Sequence, residues 1–489
     1  MGILLGLDTL DRLPASVGRP RYDRQAVEAG IIHLGVGAFH RAHQAAYTEA
    51  VLASGDLRWG IVGASVLSAK MKSALVPQDG LYVLAERGAD GEKLSVIGAI
   101  IELLGGVEDA ATLLQRMSAP TTRIVSITVT EKGYFLDPAS GSLRIDAPEI
   151  AADLAAPQQP RTILGFIVRA LQLRKEAGIA PFTVLSCDNL PSNGKLAKAA
   201  VLAYARHIDA ALADWIERNG AFPCSMVDRI TPATTDADRE HIATAIGMQD
   251  AWPVVTEAFS QWVIEDSFTL GRPDWTLGGA VFSNEIDRWE DMKLRCLNGA
   301  HSTLAYLGQL AGCETVLDAM NSPYIAAALD ALWLEVCAVL HAPQGVDPAD
   351  YVKQLQARFR NPALKHRTAQ IACDGSQKLP QRLLAPLRDR LAQDLPVPAL
   401  ALAVAGWMHF VVKTAHTPGA ALSDPLSETI LAAARRECEA DRIVEALLAI
   451  RAIFGDDLPA HPGFVAELKR QFRALAVRPE VATAAQIAL

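Results

Sequence analysis

Ile31-Ile32-His33-Leu34-Gly35-Val36-Gly37-Ala38-Phe39-His40-Arg41-Ala42-His43 decides how the first half of this chain is read. A short apolar run ends in G-x-G and enters a stretch of helical character. Two such glycines permit a tight turn and let the backbone approach a pyrophosphate at a helix start, which is how a dinucleotide-binding βαβ unit opens. The third glycine of that fingerprint is missing, because His40 stands in its place. The same residues also fit an ordinary strand-to-helix turn. On the dinucleotide reading, Gly35, Val36, Gly37, Ala38 and Phe39 form the cofactor loop.

Further strand candidates follow at Trp59–Ala64, Arg123–Thr128 and Phe182–Cys187, separated by amphipathic helical stretches. That alternation favours a parallel α/β sheet, so a Rossmann-type α/β domain is expected over 1–290. Dinucleotide sites often carry an acid after the second strand to hold the ribose hydroxyls. Here Trp59–Ala64 runs into Ser65-Val66-Leu67-Ser68-Ala69-Lys70, with no carboxylate. Without that acid, NAD preference is left open, and Ser68 with Lys70 would tolerate the 2′-phosphate of NADP. Past residue 290 the strand signals fade and Ala/Leu/Arg/Glu patterns dominate, as in Tyr324–Leu340 and Glu428–Phe454. Breaks are expected at Asn361-Pro362, Leu379-Pro380 and Leu395–Pro398. A mainly α-helical C-terminal domain is expected over 291–489.

Of the 489 residues, 46 are Lys or Arg and 55 are Asp or Glu, a formal charge of −9 with no basic block. Nucleic acid demands a positive footprint and is not an expected partner. An anionic substrate would need a local cationic pocket against this global field. The seven cysteines are scattered and never form C-x-x-C, which argues against a structural zinc site or a disulfide framework, and for reduced thiols in a cytoplasm. The opening MGILLGLDTLDRLP has no cationic segment and carries two aspartates, unlike a signal peptide. The most apolar later stretch, Ala399 to Met408, is half of the roughly 20 residues a bilayer span requires. No membrane partner is expected.

Lys293-Leu294-Arg295-Cys296-Leu297-Asn298-Gly299-Ala300-His301 opens the helix-rich region. On an α-helix, Lys293, Asn298 and His301 fall within a fan of about 140°. A lysine shielded from water trades a proton near neutral pH, and amide N–H groups stabilise an alkoxide-like oxygen. An imidazole orients a neighbouring hydroxyl. The alternative is a solvated lysine beside an interior histidine. A second amide, Asn189, follows Phe182–Cys187 in Asp188-Asn189-Leu190-Pro191-Ser192-Asn193-Gly194, which also fits a plain Asx-Pro-Gly turn.

Taken together, these segments resemble the polyol-specific long-chain dehydrogenase/reductase family, which includes mannitol 2-dehydrogenase, arabinitol dehydrogenase, fructuronate reductase and tagaturonate reductase. The resemblance runs through Gly35–Gln44, Thr128-Val129-Thr130-Glu131-Lys132-Gly133-Tyr134, Ser186–Asn189, Met226–Pro232, Gln261–Asp266 and the Lys293, Asn298, His301 group. It implies a metal-independent nicotinamide enzyme with its active site in a cleft between a Rossmann-type domain and a helical one. It also implies Lys293 as general acid/base, Asn189 and Asn298 as the oxyanion hole, and His301 and Asp228 as substrate contacts. Thr130 and Glu131 join the cofactor-binding set. Relatives often carry an aspartate where this chain has Ser68.

The stretch from Asn361 through His366-Arg367 and Gln370 to Lys378 and Arg382 looks closer to fructuronate reductases than to mannitol 2-dehydrogenases. A hexuronate carboxylate needs cations, and Arg367 and Lys378, with Arg382 as a third candidate, are the expected set; a solvated basic face is the alternative. The expected reaction interconverts D-fructuronate and D-mannonate with NAD or NADP. The other readings are a mannitol or arabinitol dehydrogenase on a neutral polyol, and a non-catalytic nicotinamide-binding regulator, which would not require an acid/base lysine. The expected state is a monomer or small homo-oligomer.

Overall fold

The computed structural model describes residues 2–88, 91–137, 141–363 and 366–477. The chain divides into two compact units, Met1–Asp287 and Arg288–Leu489. The strands are β1 (Ala29–Leu34), β2 (Gly60–Ser65), β3 (Tyr82–Gly88), β4 (Gly91–Ile97), β5 (Ile100–Gly105), β6 (Ile124–Ile127), β7 (Thr183–Ser186), β8 (Ser225–Asp228), β9 (Val254–Glu257), β10 (Gln261–Ile264) and β11 (Val281–Phe282).

Five of them form one parallel sheet in the order β5-β2-β1-β6-β7. The chain moves outward from β1 to β2 and β5, then returns to the other side of β1 with β6. That reversal creates a switch point between β1 and β6, where ligands bind open α/β sheets. Both faces of the sheet are covered. Ile32, Leu34, Val62, Ala64, Val125 and Ile127 point into one apolar core, whereas Ile31, Ile61 and Ile124 point into another. The alternation follows the strand period of two, and burial on both faces accounts for the nearly continuous apolar runs. Each strand anticipated from the sequence lies in this sheet. Two three-stranded sheets, β4-β3-β9 and β11-β10-β8, complete the first unit.

The second unit is helical, and among its described residues no strand occurs. Helix Pro323–Cys337 forms near the expected position. Glu428–Phe454, read as one helical pattern, is instead three helices: Ser427–Arg436, Ala440–Leu448 and Arg451–Phe454. The anticipated break at Leu379-Pro380 does not occur. Proline has no N–H to give to the preceding turn, yet Gly375–Leu379 passes into a π-helical turn at Pro380–Leu384 and on into Ala385–Leu391. The apolar stretch at Ala399–Met408 belongs to a longer helix, Pro398–His416, with a mean hydropathy of 1.3 over its apolar window. That helix packs against Gly299–Ala311, Ser427–Arg436 and Pro462–Val477, so 67% of the window is buried.

His33, on β1, is a buried polar residue in the apolar sheet. Its Nδ1 lies 2.8 Å from Ser126 Oγ, and its Nε2 lies 2.9 Å from Thr128 Oγ1 and 3.2 Å from Gly35 O. His40 stacks on it with ring centroids 3.4 Å apart, so an imidazole fills the space the fingerprint's third glycine would leave. Burial pulls the His33 pKa down to about 3. In the unfolded chain it titrates near 6.5. Below that pH the unfolded chain takes up a proton that the folded chain refuses, so stability is lost as pH falls from about 6.5 toward about 3. By pH 5 the loss is on the order of 2 kcal/mol. Urea midpoints at pH 7 and pH 5 should therefore differ more for the natural chain than for His33→Asn. Equal shifts in the two proteins would contradict this.

Candidate active site

The Gly35–Phe39 loop is shaped by a close backbone approach. Gly35 has φ +104°, and a Cβ there would lie 2.1 Å from the Thr128 carbonyl oxygen, so only glycine fits. Around a Cβ at Gly37, by contrast, nothing but Gly35 O lies within 4 Å. Val36 turns into the core at 4% exposure, and Ala38 and Phe39 begin the next helix. A cavity of about 740 Å³ opens at the C-terminal ends of β1, β2 and β6, lined by Gly35, Ser65–Ser68, Thr128 and Val129. Its place at the switch point and its glycine floor suit a nicotinamide dinucleotide. Ser68 is exposed and accepts the Lys70 N–H at 3.3 Å. Lys132 and Arg161 also line the cavity, with Glu149 opposing their charge.

Beyond β6 the chain is held in a strained form. Thr130 has φ +63°, unusual for a β-branched residue. The carboxylate of Asp188, at the end of β7, accepts the N–H of Val129 at 2.9 Å and of Thr130 at 2.8 Å, plus the Tyr134 hydroxyl at 2.7 Å. Burial raises its pKa despite these bonds. Thr130 and Glu131 themselves are exposed. Next to Asp188 stands Asn189, also exposed. Asn193 Nδ2 bonds Asp188 O and Ser225 O, tying this loop to β8, whose last residue is the buried Asp228.

In the second unit, Lys293–Asn298 is a π-helical turn leading into helix Gly299–Ala311. Gly299 N–H donates to Leu294 O, an i→i+5 bond. In the α-helix expected from the sequence, Lys293 and Asn298 would stand about 140° apart. The wider turn brings residues five apart onto one face. Lys293, Asn298 and His301 are all buried, at 6%, 6% and 7% exposure. Asn298 Nδ2 and His301 Nε2 have no protein partner. A buried amide N–H or imidazole nitrogen left unpaired costs roughly 1–3 kcal/mol. The His301 pKa lies well below the ordinary imidazole value, because of burial first and then His366, Arg358, Arg382 and Lys293. This imidazole stays neutral among cations.

Residues 29–277 match the model of the mannitol dehydrogenase Rossmann domain, and residues 285–476 that of the mannitol dehydrogenase C-terminal domain. The chain belongs to the mannitol dehydrogenase family. It is an oxidoreductase of that family. D-mannonate oxidoreductase of Escherichia coli (strain K12) is 45% identical over 469 residues, covering 94% of this chain and 96% of the relative. A mannitol 2-dehydrogenase of Pyrenophora tritici-repentis (strain Pt-1C-BFP) is 41% identical over 470 residues, covering 94% and 82%. The ternary complex of Pseudomonas fluorescens mannitol 2-dehydrogenase with NAD and D-mannitol superposes with a TM-score of 0.85 at 39% identity, over 98% of both chains.

Within this mannitol dehydrogenase family member, the three anticipated cations are placed differently: Lys378 and Arg382 lie close enough to act on each other, whereas Arg367 points outward. Arg367 is the N-cap of the short helix Thr368–Ile371. Its side chain is 70% exposed and lies 3.9 Å from Glu314, itself 77% exposed. Its charge is spent in solvent. Lys378 is turned inward, but its Nζ donates to Ile371 O at 3.2 Å and Cys373 O at 2.6 Å. The neighbours of His301 are instead Phe359 and His366, with ring centroids at 4.6 and 5.1 Å. His366 was visible in the sequence only as part of a dipeptide, with no signal that it and not Arg367 would face inward. On the nucleotide side, Asp188→Ala would strip three donors of their acceptor, at a cost of at least about 2 kcal/mol. The melting temperature should drop and NADH should bind more weakly in a fluorescence titration. Unchanged NADH affinity would separate Asp188 from the cofactor site.

Proposed function

We propose that this chain is an NAD-dependent reductase of a sugar acid, interconverting D-fructuronate and D-mannonate. The observation that carries the reaction type is the π-helical turn, which buries Lys293 and Asn298 on one face beside His301 and leaves amide and imidazole nitrogens unpaired. NAD, when bound, supplies the two-electron exchange at the carbinol carbon. Lys293 holds the proton that goes to the ketone oxygen in reduction and returns to the lysine in oxidation. Asn298 donates Nδ2–H to that oxygen as negative charge grows on it, and Asn189 has the same role. His301, kept neutral, accepts from or donates to a neighbouring hydroxyl, and Asp228 accepts from another. The cofactor lies over Gly35, Val36, Gly37, Ala38 and Phe39, with Ser68 at the ribose and Thr130 and Glu131 beyond β6.

The substrate reading is supported by the 45% identity to a D-mannonate oxidoreductase across almost the whole chain. It is also supported by His366 standing beside His301, since this is the segment whose sequence looks like fructuronate reductases. NAD is supported by the ternary complex of the mannitol 2-dehydrogenase relative. That same complex favours the second reading, a neutral polyol and ketose pair. Initial rates with D-fructuronate and D-fructose, each with NADH and NADPH, decide between them. Higher kcat/KM on D-fructuronate is the expected result, and a preference for D-fructose would move this chain to the second reading.

Lys293→Ala should lower kcat by about 10³-fold while NADH binding, read by fluorescence, is retained. A variant that keeps most of its turnover would remove Lys293 from the proton-transfer role.

A further inference from the structure

Four surface arginines of this chain, Arg58, Arg272, Arg388 and Arg470, grip a carboxylate with the same edge of the guanidinium, Nε and Nη2 together. That edge matches the two oxygens of a carboxylate. Arg382 is different. Its Nη1 donates to Ser302 Oγ at 3.2 Å and lies 3.4 Å from Asn298 O. Its Nε is buried without a partner, its hydrogen bonds among the described residues all come from Nη1, and the side chain as a whole is half-buried. No Asp or Glu among the described residues pairs with it. Burial pulls its pKa to about 10, so it stays charged at neutral pH. A half-buried charge whose Nε is shut off from solvent is normally matched by a counter-charge.

Its location gives the missing partner a shape. Arg382 lies in the π-helical turn Pro380–Leu384, which packs on the turn carrying Lys293. A Cβ on Gly299 would lie 2.9 Å from Arg382 O, so glycine lets the two wide turns touch. Asn298, Ser302 and Tyr306 recur every four residues along one helical stripe, and the guanidinium spans the first two. The Tyr306 hydroxyl, like Asn298 Nδ2 and His301 Nε2, has no partner. The cluster is rich in donors and cationic; Asp424 and Asp374 are close enough to act on Tyr306, and Asp424 is already taken by Ser376, but neither pairs with Arg382. In D-fructuronate three hydroxyl-bearing carbons separate the ketone from the carboxylate, so the anion has to be gripped away from the proton donor.

We propose that Arg382 takes the carboxylate of the substrate through Nε and Nη2 and is the residue that separates sugar acids from neutral ketoses. This rests on the sugar-acid reading above. The test uses full-length Arg382→Gln and Arg382→Lys. The ratio of kcat/KM for D-fructuronate to that for D-fructose should fall about 100-fold in Arg382→Gln, as expected for removing one partner of a buried charge pair. Arg382→Lys, with charge but no fork, should recover part of it. D-Mannonate binding to the NADH-loaded protein is measured alongside, with NADH affinity and melting temperature as controls on folding. If the natural chain prefers D-fructose but D-mannonate binding still needs Arg382, the sugar-acid reading fails and the carboxylate site stands. Equal losses on both ketoses, or D-mannonate binding alike to natural and variant chains, would overturn the proposal. Should Arg382→Gln not fold, the same two measurements on Arg382→Lys decide.

Discussion

The end of β1 and the end of β6 approach so closely that the Thr128 carbonyl occupies the space of any side chain at position 35. Much of the first unit follows from that contact. It fixes the turn that carries the G-x-G loop and sets the floor of the cavity at the switch point. It also explains why a polar residue is tolerated inside an apolar sheet: His33 reaches from below to Gly35 O and Thr128 Oγ1 and links the two strand ends. A larger residue at 35 would force the strands apart and undo the histidine's bonds together with the cavity. Asp188 does comparable work one strand further along, holding Val129 and Thr130 in a shape that Thr130 would not adopt unaided.

The parallel sheet was legible because its strands are buried on both faces and so appear as short apolar runs ending in small or polar residues. The tight turn at Gly35 was legible for a related reason, since glycine spacing reports backbone geometry directly. The π-helical turns were not. An i→i+5 turn has no composition of its own; Lys293–Asn298 reads as ordinary helix, and Pro380 reads as a stop. The two turns meet at Gly299, where a Cβ would lie 2.9 Å from Arg382 O, a long-range contact that the local sequence does not announce. The cationic residues show the same limit. Arg367, Lys378 and Arg382 are alike in sequence, yet one caps a short helix in solvent, one bonds to backbone carbonyls, and one lies among unpaired donors. Side-chain direction depends on where each short helical piece begins, which the local sequence does not specify.

The second unit concentrates polar groups that protein atoms leave unmet: Asn298 Nδ2, His301 Nε2, His366 Nδ1, Tyr306 Oη and Arg382 Nε. Sequence and structure usually agree at every level, and departures gather at functional sites. Here the departure is two adjacent distortions of helix plus a group of donors lacking acceptors. Unmet donors and acceptors of this kind lower stability unless a ligand answers them. The apolar surroundings keep His301 neutral, so a histidine flanked by cations remains able to accept as well as donate.

Helix Pro398–His416 carries a different implication. It is apolar along most of its length, and part of its cover is Pro462–Val477, where Phe472 stacks on His409 and accepts its Nε2–H. During synthesis the long helix leaves the ribosome well before the segment that shields it. For that interval the nascent chain can cover the apolar helix only by docking it on Gly299–Ala311, already made. A ribosome stalled before residue 462 would release a product prone to aggregate, even though its nucleotide half and the π-helical turn bearing Lys293 had both been synthesised.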